Sequence, residues 1–418
     1  MTDRKVYYFD NNATTRIAPE VFEAMRPFLT ELWGNPSSAY GFGAQVHGHV
    51  EKARQQVAAL LNADAKEIIF TSCGTESNNA AIHSALMTNP KKRHVITTAV
   101  EHSANMNFGE YLRRQGYDVT FLPVEPDGTL DIHLLEKAIR PDTAIVSVMY
   151  ANNETGVVFP IEEIAAICRS KEVLFHTDAV QAPGKIKLDV RNLGCDFLSL
   201  SAHKLHAPKG IGCLYVKRRT KFQPYIVGGH QERGKRGGTE NVANIVAFGR
   251  AAELAVQKLD EENTRVRALR DRLENSILSK IPNTIRNGSK DQRLPNTTNI
   301  AFEFVEAEAI LLLLDGIGIC ASSGSACTTG SLDPSHVLTA MGLSPMRARG
   351  CVRFSLGIYN TDDDVDYLLK QLPGIIKKLR DISPLNPEHP DNDKYDIDAA
   401  RIKHEQDLAE ALKDEKAA

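Results

Sequence analysis

A lysine stands one residue past a histidine in Ser201-Ala202-His203-Lys204, directly after an apolar run at 197–200. Surface lysines usually lie on polar faces. This one follows a run that reads as a buried strand, where an amine can serve as a nucleophile. Four other apolar runs also end in polar groups. Residues 67–71 lead into Ser72-Cys73-Gly74-Thr75-Glu76-Ser77, small and hydroxyl residues opening a helical stretch whose free N–H groups suit a phosphate. Residues 94–98 lead to Glu101-His102-Ser103, and residues 144–149 to Asn152-Asn153-Glu154-Thr155-Gly156. Residues 173–176 lead to Thr177-Asp178-Ala179-Val180-Gln181. Taken singly, each has a plainer reading as a helix cap, a packed histidine, a turn or a loop aspartate.

The elements that must position these groups follow from periodicity. Between 65 and 218, short apolar runs at 67–71, 94–98, 119–124, 144–149, 173–176, 197–200 and 212–216 alternate with stretches of helical period. Strands alternating with helices imply a mostly parallel sheet covered on both faces. Pro208-Lys209-Gly210 is too short for a helical crossover, so one strand should run antiparallel. Ligands of such sheets sit beyond the carboxyl ends of the strands, where the polar groups fall. As a set they make chemical sense for pyridoxal phosphate. Lys204 could form the imine, and Asp178 could keep the ring nitrogen protonated. Asn153 and Gln181 could face the phenolate, and His102 could lie over the ring. Thr75, Ser201 and His203 could hold the phosphate.

A charged periodic stretch at 245–280 reads as one long helix leaving this unit. Apolar runs at 298–304 and 352–355, with helical pattern at 307–314 and 365–379, indicate a smaller α+β domain. The expected division is an N-terminal arm at 1–15 joining the small domain, a large domain at 16–255, a small domain at 256–385 and an acidic tail at 386–418. That tail carries ten acidic and five basic residues, a net of −5 that leaves +2 for the rest.

Composition narrows the classes. The chain is 42% hydrophobic and 25% charged, with a net charge of −3, so nothing electrostatic points to nucleic acid or an anionic membrane. The polar first fifteen residues lack the apolar run of a signal peptide, and the aliphatic run at 310–314 is too short to span a bilayer. Seven scattered cysteines without a Cys-x-x-Cys pair argue against a disulfide framework or a structural zinc site. A cytoplasmic, reducing setting is expected.

From Tyr8-Phe9-Asp10-Asn11-Asn12-Ala13-Thr14-Thr15 to about residue 379 the chain resembles the cysteine desulfurases of the class V aminotransferase family. Its motifs are Thr75-Glu76-Ser77-Asn78-Asn79, Glu101-His102, Asn152-Asn153-Glu154-Thr155-Gly156, His176-Thr177-Asp178-Ala179-Val180-Gln181 and Ser201-Ala202-His203-Lys204. Arg236-Gly237-Gly238-Thr239-Glu240-Asn241 and Ser322-Ser323-Gly324-Ser325-Ala326-Cys327 agree as well. The resemblance implies a fold type I pyridoxal-phosphate transferase, with a mostly parallel mixed seven-stranded sheet and a smaller α+β domain. It makes Lys204 the Schiff-base lysine, Asp178 the partner of the pyridine nitrogen and His102 the residue stacked on the ring. Gln181 and Asn153 would hold the phenolate side, and Gly74, Thr75, Ser201 and His203 the phosphate. Thr239 would reach the phosphate of a neighbouring subunit, which implies a homodimer. Arg353, with Asn153 nearby, would clamp the carboxylate of L-cysteine, a task that suits a planar fork of donors.

Cys327 would receive the sulfur as a persulfide while alanine leaves. Its glycine- and serine-rich surroundings have the composition of a mobile loop rather than of a core. Its thiolate needs a positive group nearby, for which His102 is a candidate, and His102 could also shuttle protons. Cys73 is expected to be only a packed small residue. The long-loop form around Cys327, with Gly228-Gly229-His230-Gln231-Glu232-Arg233-Gly234, is closest to the nitrogen-fixation type. Such enzymes deliver sulfur to an iron–sulfur scaffold protein, and a transient cluster bridged through Cys327 is conceivable. Alternatives are a selenocysteine lyase or an aminotransferase on the same fold, or a non-catalytic assembly subunit. Ala202 stands where many relatives have glycine, and the acidic tail has no counterpart in the resemblance.

Overall fold

The computed structural model describes residues 5–323 and 334–386. In chain order its strands are β1 (Tyr7–Tyr8), β2 (Ile68–Thr71), β3 (His94–Thr98), β4 (Asp118–Leu122), β5 (Thr143–Ser147), β6 (Leu174–Asp178) and β7 (Phe197–Ser201). They continue with β8 (Gly212–Val216), β9 (Thr284–Asn287), β10 (Thr297–Phe302), β11 (Ile319–Cys320), β12 (Ser322–Ser323) and β13 (Cys351–Ser355). The seven apolar runs become one seven-stranded sheet ordered β2-β8-β7-β6-β5-β3-β4. Only β8 runs against its neighbours, pairing antiparallel with both β2 and β7. The other six strands therefore point the same way, and their carboxyl ends share one edge.

Side chains of this sheet alternate between two cores, as strand geometry requires. Ile69, Val95, Ile145, Phe197 and Leu214 face the helices Gly74–Thr88 and Ser103–Arg114. Ile68, Ile96, Val146, Leu198 and Tyr215 face the layer that includes the helices Gly41–Leu61, Ile161–Ser170 and Val242–Gln257. Both faces are thus covered, and the sheet is legible as near-continuous apolar runs.

A third core lies around the antiparallel sheet β12-β13-β10-β9. There Ile300, Phe302, Val352 and Phe354 meet Leu273 and Ile277 of the helix Arg267–Lys280, and Leu368 and Leu372 of the helix Asp362–Asp381. The chain start belongs to this unit: β1 pairs parallel with β11, and Phe9 is fully buried in its core. The expected single helix at 245–280 is interrupted. Val242–Gln257 ends at Lys258, and a π-helical turn at Glu262–Val266 precedes Arg267–Lys280. That turn places Glu262 inward, beside buried Lys185 of the large unit. No helix among the described residues is long and apolar enough to cross a membrane.

Candidate active site

The shared carboxyl edge of the large sheet opens into a cleft of about 290 Å³. Of the residues singled out above, Gly74, Thr75, His102, Asn153, Asp178, Gln181, Ser201, His203, Lys204 and Arg353 all line it. All but Arg353 arrive at or just past the carboxyl end of a strand of the large sheet. Lys204 closes the short 3-10 turn Ala202–Lys204 that directly follows β7, and Ala202 packs fully buried beneath it. Asp178 is the last residue of β6.

Asp178 is nearly buried, and its carboxylate is fixed at both oxygens. Asn78 Nδ2 donates to Oδ2 at 2.6 Å and the Val180 N–H to Oδ1 at 3.0 Å. Asn78 reaches it from the helix Gly74–Thr88, whose first turn points into the cleft. The opening N–H groups of a helix have no intrahelical carbonyl to meet. Gly74 is required there because a Cβ would stand 2.8 Å from Val180 Cγ2. Cys73 precedes this turn half-buried and also lines the cleft, more open than the packed residue expected.

His102 caps the helix Ser103–Arg114, its Nδ1 accepting the Ala104 N–H at 3.1 Å. That bond leaves the ring proton on Nε2. Burial lowers the imidazole pKa, and Lys204 lowers it further while Asp178 opposes. His203, half-buried and joined to Thr14 Oγ1 at 3.1 Å, is pushed down to about 4 by burial and then by Lys204. Both rings are therefore neutral near pH 7, able to accept or pass a proton but not to act as fixed cations.

The N-terminal arm completes the cleft, which the sequence reading did not foresee. Lys204 Nζ donates to the carbonyls of Asn12 and Ala13 at 2.5 and 2.6 Å. Gln181 Nε2 donates to the same Asn12 carbonyl at 3.0 Å, and Gln181 Oε1 is buried with no partner among the described residues. Asn12 Nδ2 in turn donates to the Asn153 carbonyl at 3.0 Å and to Thr297 Oγ1 at 2.9 Å. The only hint in the sequence is Asp10-Asn11-Asn12, three consecutive polar residues, which in the structure open a turn closed by the Ala13 N–H on the Asp10 carbonyl at 3.0 Å.

Arg353 enters from β13 and is 3% exposed. Its Nη2 donates to Asp10 Oδ1 at 2.7 Å and its Nη1 to the Asn153 carbonyl at 3.0 Å, while Nε meets no acceptor among the described residues. A surface ion pair, the plain alternative for this arginine, does not describe a guanidinium that faces a cleft from inside.

Two buried acids support the rim. Glu101 is fully buried and accepts from Thr98 Oγ1, Asn105 Nδ2 and the Met149 N–H at 3.0, 3.0 and 2.8 Å. Burial nonetheless pushes its pKa up to about 8, with Asp178 adding to the rise. Burial raises Glu154 to about 7, against a Ser335 hydrogen bond and the nearby Arg353.

Thr239 is not in this cleft. It is exposed beside a separate cavity of about 210 Å³, on a loop held by Arg54–Glu232 and Arg236–Glu76 pairs. Cys327 lies outside the described residues. Among the described residues no group of three His, Cys, Asp or Glu side chains could hold a metal ion.

Comparison with known proteins agrees with this architecture. The family described as "Aminotransferase class-V" matches residues 7–368. The chain is 56% identical over 386 residues to "Cysteine desulfurase 2" of Trichormus variabilis, covering 92% of this chain and 97% of that one. It is 54% identical to "Cysteine desulfurase NifS" of Azotobacter vinelandii, covering 90% and 94%. Among solved structures it is similar to a "NIFS-LIKE PROTEIN" with a TM-score of 0.85 and 40% identity, over 90% of this chain and 100% of that one. It is also similar to "SspA in complex with cysteine", with a TM-score of 0.76 and 37% identity, over 85% and 99%. By matches of this length and identity, the chain belongs to the class-V aminotransferase family and, within it, to the cysteine desulfurases.

Proposed function

We propose that the chain removes sulfur from L-cysteine with pyridoxal 5′-phosphate held on Lys204, giving L-alanine and a persulfide on Cys327. The observation that carries this reading is the convergence of Lys204, Asp178 and Arg353 on one cleft whose floor is a helix N-terminus. The residues fit the cofactor. Gly74 and Thr75 line the cleft at the opening of a helix, whose first N–H groups suit a phosphate, and Gln181 Oε1 and Asn78 Oδ1 are buried with no partner among the described residues. When bound, the cofactor supplies an electron sink for the substrate's α-carbon.

The chain's own residues supply the rest. Asp178, held by Asn78 and the Val180 N–H, keeps a negative charge where a ring nitrogen needs its proton. Arg353 fixes the substrate carboxylate with the donors left over from Asp10 and Asn153. Lys204 takes the α-proton and returns it, while neutral His102 can pass a proton at Nε2. Cys327 bonds to the substrate sulfur as the C–S bond breaks; its thiol proton goes to the alanine carbon and the sulfur stays on the enzyme. Atoms balance as cysteine plus thiol giving alanine plus persulfide.

Chain length supports Cys327 in this role. Ser322 pairs opposite Arg353 across β12 and β13, so the segment bearing the thiol starts beside the substrate clamp. Cys327 lies four residues past Ser323, which bounds its distance from Ser323 at about 14 Å for a fully extended chain.

Thr239, exposed and outside its own chain's cleft, fits a residue offered to a second subunit, so a homodimer belongs to the reading. The fate of the persulfide, an iron–sulfur scaffold protein of the nitrogen-fixation type, is proposed from likeness to NifS of Azotobacter vinelandii. The test is Cys327→Ser: the purified protein should stay yellow yet form no sulfide from cysteine and a reductant. Full retained activity would reject the assignment.

A further inference from the structure

We infer that Ser335, through its hydrogen bond to Glu154 and with His336 beside it, is a positioning residue that holds the downstream root of the Cys327 segment for sulfur transfer. The inference rests on Cys327 as the sulfur acceptor. Ser335 lies eight residues past Cys327 and is 5% exposed. Its Oγ donates to Glu154 Oε2 at 2.5 Å and accepts from the Val337 and Leu338 N–H groups, capping the helix His336–Ala340. His336 Nε2 donates to the Glu101 carbonyl at 2.8 Å, one residue before His102.

Glu154 is a fixed post. Its N–H is held by Asn152 Oδ1 at 2.9 Å and its carbonyl by Asn299 Nδ2 at 3.3 Å. Its neighbour Asn153 gives a carbonyl to both Arg353 and Asn12. The downstream root is therefore one hydrogen bond away from the turn that orients the substrate clamp. The upstream root, Ser322, lies opposite Arg353 itself. Both ends of the thiol-bearing segment are thus referenced to the atoms its thiol must meet.

Helix capping alone does not explain the arrangement. A capping serine needs only the N–H groups of its own helix, and the cap would be complete without Glu154. A carboxyl 3% exposed is costly to keep, and Ser335 is the only side chain among the described residues hydrogen-bonded to it. Breaking the Ser335–Glu154 bond removes one of the two fixed ends, Ser322 and Ser335, from which the chain reaches Cys327. Misplacement of a reacting group by about 1 Å can cost around a hundredfold in rate.

The test uses holoenzyme and separates binding from transfer. Cysteine affinity is read from the cofactor absorbance, and Cys327 persulfide from single-turnover peptide mass spectrometry. Ser335→Ala and Glu154→Leu should each slow persulfide formation roughly tenfold or more, with cysteine affinity held within about threefold. Ser335→Thr, which keeps the hydroxyl, should restore the rate, a recovery that mere loss of fold would not show. Wild-type persulfide formation in Ser335→Ala overturns the inference, as does a parallel loss of cysteine affinity. Cys327→Ser is run alongside. If the wild type carries persulfide on another cysteine, the acceptor assignment fails and the anchoring inference falls with it; if only the Ser335 variants behave as wild type, the acceptor assignment stands and the anchoring alone is wrong.

Discussion

Replacing Arg353 with lysine keeps the charge and removes the fork. In the structure the guanidinium meets Asp10 through Nη2 and the Asn153 carbonyl through Nη1, and still has N–H donors to offer, including a buried Nε with no acceptor among the described residues. A lysine ammonium cannot satisfy Asp10, the Asn153 carbonyl and a two-point carboxylate together. The loss is then at least one charge-assisted hydrogen bond to the substrate, worth about 1.5–3 kcal/mol. At 1.36 kcal/mol per factor of ten, kcat/KM for L-cysteine should fall roughly 10- to 150-fold. Because the carboxylate is held before and during the reaction, most of the loss should appear in KM. Steady-state kinetics at constant ionic strength measure the split. Cysteamine, which lacks the carboxylate, provides the control as a competitive ligand: its affinity should change little between wild type and Arg353→Lys. A variant within twofold of wild type, or one that weakens cysteine and cysteamine equally, would refute the clamp.

Other consequences follow from the buried groups. Glu101 keeps its proton up to about pH 8 when folded but only to about 4.5 when unfolded, so its contribution to stability falls as pH rises through that window. Glu101→Gln removes this slope, and urea unfolding at pH 5.5 and 7.5 should show its advantage over wild type growing by about 2–3 kcal/mol between the two; a constant difference would mean Glu101 is ionised throughout. Arg54 and Glu232, with side chains 3% and 4% exposed, form a two-point pair, so Arg54→Met should destabilise by about 3–5 kcal/mol. Arg54→Met with Glu232→Met should recover much of that in the same unfolding assay. Asn78→Ala should leave expression intact but weaken cofactor retention on dialysis, since one of the bonds orienting Asp178 is lost.

The large sheet is legible because all its strands but the edge strand β4 are buried on both faces, which leaves nearly unbroken apolar runs in the sequence. The group at each carboxyl end could then be read directly, and ten of the anticipated residues do meet in one cleft. Illegible were contacts made by segments with no periodic signal. Strands β1 and β11 have two residues each, too short to show a pattern. The Asn12 and Ala13 carbonyls meet Lys204 across roughly half the chain, and backbone acceptors carry no sequence signature. Glu154 lies inside the Asn152-Asn153-Glu154-Thr155-Gly156 motif, yet its partner Ser335 is 181 residues away. The helix expected at 245–280 breaks at Lys258, and past the break Asn263 Nδ2 donates to the Lys185 carbonyl of the large unit at 2.9 Å, a backbone contact that helical periodicity does not encode.

Lys204 is the residue on which the proposed chemistry turns. Borohydride reduction of the yellow protein, digestion and mass spectrometry should recover the pyridoxyl group on the peptide containing Lys204, with Lys204→Ala yielding no such adduct. A stable adduct on Lys185 or any other lysine of the wild-type chain, or none at all, would contradict it.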